Sequence, residues 1–206
     1  MKCRRFLAAV FAALVLGGAA ASAYETRPAI LATAGFGFPE ENNLRGGWET
    51  GLGLLLPIAP HLALAVECAE WKDTSKQSFG KLYNGTLTLA PIQASLQLEF
   101  YQNMYFTAYA LGGVAYIVSR FRIGSYPSVP DVTIEQRVDN GLALFGGLGA
   151  NLALSKKIAY YIEASYMRRS LPAQTIVHDT DQGDSETHLT ANLRHVFLRM
   201  GLKFLF

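Results

Sequence analysis

Five charged residues interrupt segments that are otherwise apolar or small: Glu49, Glu67, Glu163, Arg199 and Lys203. A charge facing hydrocarbon costs several kcal/mol, so groups of this kind must turn toward a shared interior and pair there. Two chemistries fit. One is a structural charge network that plugs the interior; the other is a polar gate or narrow pore lined by the same groups. Residue types alone leave both open. A second basic set, Arg120, Arg122, Arg168 and Arg169, has Lys72, Lys76 and Lys81 nearby. Forked guanidinium groups suit the phosphates of an anionic glycolipid such as lipopolysaccharide, and a solvated strand end is the plainer alternative.

Other constellations point away from catalysis and metals. Asp179, Asp181, Asp184 and Glu186 lie between His178 and His188, but Gly183 is fifth from Asp179 and Thr190 twelfth. An EF-hand needs glycine at about the sixth place and glutamate at about the twelfth, so a hydrated acidic loop is the better reading. There is no G-x-S-x-G, H-E-x-x-H or C-x-x-C. No His precedes a Ser by two, the pair used by barrels that deacylate lipid A. The chain is therefore expected not to be an enzyme, with no catalytic residues, no cofactor and no metal.

The elements that position these groups read as strands. Segments near 29–38, 46–56, 62–72, 84–98, 104–122, 138–154, 158–171 and 188–206 alternate or carry strand-forming residues. The breaks between them alternate in length. Those at 57–61, 99–103 and 155–157 are short, and those at 39–45, 73–83, 123–137 and 172–187 are longer and more polar. This is the plan of an all-β, eight-stranded antiparallel up-and-down transmembrane barrel with four longer external loops and three short periplasmic turns. Aromatic residues fall at both strand ends. Tyr101, Tyr105, Phe106, Tyr160, Tyr161, Phe204 and Phe206 mark the short-turn side, and Trp48, Trp71, Tyr83, Phe121, Tyr126 and Tyr166 the loop side. Glycines inside the strands relieve crowding in a narrow lumen, and Pro91 conflicts with a central ladder and suggests a bulge.

The two ends of the chain agree. Lys2, Arg4 and Arg5, the apolar run from Phe6 to Leu16 and Ala21-Ser22-Ala23 read as a cleaved secretory signal over 1–23, leaving a barrel domain over 24–206. Three of the 18 basic residues and none of the 16 acidic ones lie in that signal. The mature charge is then near zero, and nucleic acid is not an expected partner. The remaining cysteine, Cys68, shares an apolar-facing register with Leu62, Leu64 and Val66 and reads as a small hydrophobe. At the other end, Arg199, Gly201, Phe204 and Phe206 resemble the C-terminal assembly signal of outer-membrane barrels. That resemblance implies the bacterial outer membrane as the location, its lipids and the barrel-assembly machinery as partners, and a monomer.

The centre of the chain carries a narrower resemblance. Leu89 to Gln97, with Pro91 inside it, precedes a short turn, and Tyr109-Ala110-Leu111-Gly112-Gly113-Val114-Ala115-Tyr116 follows. With Gly146 to Ala150 and Leu198 to Phe204, this resembles the OmpW family, with OmpX-like and OmpA-like barrels close behind. The resemblance implies a narrow channel admitting small, mostly hydrophobic solutes through a gap in the barrel wall. Leu52, Leu54 and Leu111 would line the path, and Pro91 would mark the gap. The chain departs from the family in its shorter early loops and a less clearly apolar upper lumen. The alternative is a structural or surface-interaction barrel without transport, whose loops meet a glycolipid or another surface.

Overall fold

The structure, a computed structural model, describes residues 27–40, 46–75, 85–103, 105–123, 132–179 and 185–206. The expected signal 1–23, Lys76, Lys81, Tyr83, Tyr126, Asp181, Gly183 and Asp184 lie outside these residues. Nine strands are described: β1 (Ala29–Pro39), β2 (Gly47–Ala59), β3 (Leu62–Ser75), β4 (Gly85–Gln102), β5 (Phe106–Ile123), β6 (Val132–Val138), β7 (Gly141–Ala153), β8 (Ile158–Asp179) and β9 (Ser185–Leu205). All pairings are antiparallel. β9 pairs with both β8 and β1, so eight strands close on themselves and leave no edge in the wall.

Period two explains the wall. In β8, Ala159, Tyr161, Glu163, Ser165, Met167 and Arg169 are buried inward, while Ile162, Ala164, Tyr166 and Arg168 are exposed outward. The outward faces carry a belt of exposed Leu142, Leu144, Leu148, Leu152, Val196, Leu198 and Met200. A belt of this size on a closed sheet is the surface that a bilayer covers. The short turns are tied locally. The Asn103 side-chain oxygen accepts from the backbone N–H groups of Tyr105 and Phe106 at 2.9 and 2.8 Å. Ser155 Oγ does the same for Lys157 and Ile158 at 3.2 and 3.1 Å. Both are side-chain mimics of a backbone turn.

The upper rim differs from the sequence expectation. The segment 172–187 is largely ladder rather than loop, because β8 and β9 stay paired from Ile158↔Phe204 up to Val177↔Ser185. β6 falls within the segment expected as the third external loop and pairs only with the top of β8. The sixth expected strand, 138–154, is broken at Asp139–Asn140. There the Asn140 side chain accepts from the Ser119 N–H at 2.9 Å, and Asp139 N–H donates to Pro172 O at 3.0 Å. Alternation continues past the membrane on both sides of the hairpin, and polarity alone did not distinguish an extramembrane strand from a loop.

Pro91 introduces no register shift. The β3–β4 ladder runs from Cys68↔Ile92 directly to Trp71↔Leu89, omitting the two pairs between them, while Pro91 stays paired with Ile117 of β5. The proline has no N–H to donate, so the ladder loses these pairs without a bulge. The bulges lie instead at Pro57/Ala59 and Glu99/Tyr101, next to short turns.

Candidate functional site in the barrel lumen

The lumen is layered. At mid-height Arg199 of β9 donates from Nε and Nη2 to the two carboxylate oxygens of Glu49 in β2, both at 2.9 Å. Its Nη1 donates to Glu163 of β8 at 3.3 Å and to Gln93 of β4 at 3.2 Å. All four residues are buried. This is a bidentate fork extended to a second carboxylate, the geometry in which a buried pair repays its desolvation best. Gly35 on β1 leaves room for it. A Cβ there would stand 3.0 Å from Arg199 Cγ and 2.8 Å from the Leu198 carbonyl oxygen.

Glu67 and Lys203 belong to a neighbouring tier. Glu67 accepts from the Thr33 hydroxyl at 3.3 Å, and that hydroxyl also bonds the Tyr161 hydroxyl. Lys203 reaches Gln97 Oε1 at 3.5 Å and lies 4.8 and 5.3 Å from the ring centres of Tyr109 and Tyr161. The five charges expected inside are all buried there. Ion pairs join only three of them directly, and the other two are held by hydroxyls, amides and aromatic faces.

Above the charged layer the lumen is apolar. Phe197 lies 5.1 Å from the Arg199 guanidinium, with Trp71 edge-on to it at 4.8 Å and edge-on to His195 at 4.3 Å. Leu87, Leu89, Leu111, Ile117, Phe145 and Met167 belong to the same cluster. The expectation of a less apolar upper lumen is thus corrected. Its residues are spread over six strands at alternate positions, so no stretch of sequence displays them together.

Several assignments change with the register. Leu52 and Leu54 share the outward parity of Trp48 and Thr50, so they face away from the lumen; Leu52 is exposed there and Leu54 is covered on that outer side. Leu111 does face inward, opposite Gln97 and Gly147, and packs in the apolar cluster. Trp71 and Tyr161, read as interface aromatics, are buried inside. Trp48, Tyr166, Tyr101, Tyr105, Phe106, Phe204 and Phe206 are exposed, as interface residues should be. Arg169 leaves the rim set because it points inward, donating to Asp139 O at 2.7 Å and Ser119 Oγ at 3.2 Å. Arg120, Arg122 and Arg168 remain exposed outward. Gln93, Ser95 and Gln97, missed as lumen residues, were signalled by polar side chains at every second place in β4. Among the described residues no group of three or more His, Cys, Asp or Glu is placed to hold a metal.

A closed antiparallel eight-stranded wall, an apolar outer belt, a charged and filled interior, and short turns at one end define the class: a small β-barrel of the outer-membrane type. The solved structures agree. The outer membrane protein OprG from Pseudomonas aeruginosa is similar at a TM-score of 0.67 and 16% identity, over 89% of this chain and 98% of that one. A major outer membrane protein from Thermus thermophilus is similar at 0.56 and 14% identity, over 88% and 100%. Neisserial surface protein A is similar at 0.54 and 13% identity, over 90% and 100%. No protein-family model and no curated protein matches the chain.

Proposed function

We propose that this barrel is a narrow, non-enzymatic outer-membrane channel for small, mostly hydrophobic solutes, delivered through the wall rather than straight through the lumen. The observation that carries the reading is a coincidence of three features. The upper lumen is apolar, a fully paired guanidinium–carboxylate layer floors it, and the β3–β4 seam loses two ladder pairs at Pro91, between Trp71 and Glu67. An apolar solute is stabilised against Leu89, Ile117 and Phe197 but meets a steep desolvation barrier at Arg199. The weakened seam offers it a lateral exit into the bilayer. The cluster is packed, so passage requires Trp71, Phe197 and Met167 to yield; methionine adapts readily to such repacking.

The test compares uptake of a labelled medium-chain hydrocarbon in cells with and without the protein, with glycine as the polar control. Slower apolar uptake without the protein, at unchanged glycine uptake, supports the reading. Pro91→Val restores a backbone donor at the seam and should slow hydrocarbon uptake while leaving the barrel folded. Uptake equal to that of the unaltered protein would count against a wall exit.

A further inference from the structure

The outer surface carries a feature that transport does not use. Arg168 of β8 and Arg194 of β9 are directly opposed Cα partners, and both side chains are exposed outward. Directly opposed like charges on one sheet face repel. Among the described residues, Arg168 has no carboxylate partner and Arg194 has only a loose contact with Glu40, at 3.8 Å between half-exposed side chains. Two cations side by side without adequate counter-charge are stabilised by a bound anion.

Their height identifies the kind of anion. Two residues below them on the same face Tyr166 pairs with Val196, and beside Arg168 stands Leu144, exposed in the apolar belt. From Ile158 to Arg168 is ten residues of β8. At about 3.3 Å per residue and a tilt of about 40°, that is about 25 Å of height, the thickness of the apolar band of such barrels. The pair therefore stands where acyl chains end and headgroups begin, on the side away from the short turns. Above it the β8–β9 hairpin continues as an exposed polar wall carrying Ser170 and Thr190.

We infer that Arg168 and Arg194 form a binding site for a phosphorylated, acylated sugar of the outer leaflet, with its phosphomonoester between the two guanidinium groups and its sugar against the hairpin. Two forks carry two charges, which match a phosphomonoester of about −1.5 to −2 better than the single charge of a phosphodiester headgroup. The polar wall above favours a tall sugar headgroup over a small one. This site revises the sequence expectation, replacing the inward Arg169 with Arg194.

The experiment uses the full folded barrel in detergent micelles, with diphosphorylated lipid A as the probe and native mass spectrometry as the readout. The chemically dephosphorylated lipid and phosphatidylglycerol are the comparison lipids. The expected result is retention of diphosphorylated lipid A, lost by at least about tenfold in R168Q/R194Q and kept in R168K/R194K. Arg137→Gln, which removes a rim arginine already paired with Glu135 at 2.9 Å, should leave retention unchanged. Heat-modifiable migration on gels establishes that each variant is folded. Equal retention by R168Q/R194Q, or equal retention of the dephosphorylated lipid, overturns the site. Phosphatidylglycerol held as tightly overturns the sugar phosphate in favour of any anionic headgroup. Displacement by millimolar inorganic phosphate overturns the lipid in favour of free phosphate.

Discussion

At the scale of single residues, Arg199 organises the interior. Its guanidinium satisfies two carboxylates and an amide from three different strands, all of them buried away from bulk water. Arg199→Met should therefore destabilise the barrel by about 3–5 kcal/mol, because Glu49 and Glu163 are left buried without a counter-charge. The midpoint of urea unfolding in lipid vesicles reads this directly, and a shift below about 1 kcal/mol would mean that the network is not closed as described. Gly149 makes the complementary case for shape. A Cβ at that position would overlap the Tyr109 ring, whose face holds Lys203. Gly149→Val should cost about 1–3 kcal/mol in the same assay, the usual cost of overfilling a packed site. A neutral effect would show that the ring has room to move aside.

At the scale of elements, the membrane wall and the hairpin above it are separable. Closure rests on the lower rungs of β8 with β9 and of β9 with β1, from Ile158↔Phe204 and Ala29↔Leu205 upward. Among the described residues the upper rungs pair with each other and with β6, and Pro172 O also accepts from Asp139 N–H. Deleting 174–186 should leave a folded, heat-modifiable barrel while freeing β6 from most of its pairing partner. Loss of folding on that deletion would show that the hairpin nucleates closure. Pro91 acts at the same scale. It weakens the β3–β4 seam not by displacing residues but by withholding one donor, so its effect is confined to two missing pairs in an otherwise continuous ladder.

At the scale of the whole molecule, the ends of the chain complete the wall. The Phe206 N–H donates to Pro28 O at 3.1 Å, and Leu205 N–H to Lys157 O at 2.8 Å, so the C-terminus is stitched to both neighbours. If Arg199, Gly201, Phe204 and Phe206 also act as an assembly signal, Phe206→Ser should lower the amount reaching the outer membrane several-fold. Refolding of the purified chain into vesicles should change little. Equal loss in both assays would make the aromatic structural rather than a signal. An eight-stranded wall also explains why the interior is filled, since that circumference leaves a core only as wide as the side chains that occupy it.

The sequence by itself determined the wall. Alternation at period two, breaks of alternating length and aromatic strand ends are local properties of the chain, and they set the number of wall strands, the topology and the burial of all five interior charges. It also marked the anomaly at Pro91, because a missing N–H is visible in the residue type. In the second strand Glu49 already fixes the inward parity, so period two places Leu52 and Leu54 on the outer face, as the register shows. What only the tertiary structure decided is what depends on which residues meet across strands. The apolar cluster of Trp71, Leu89, Ile117, Phe145 and Phe197 comes from residues far apart in the chain. Arg194 became the partner of Arg168 only through the β8–β9 register. A strand's own residues state which side chains share a face, but closure and shear decide which faces look at one another.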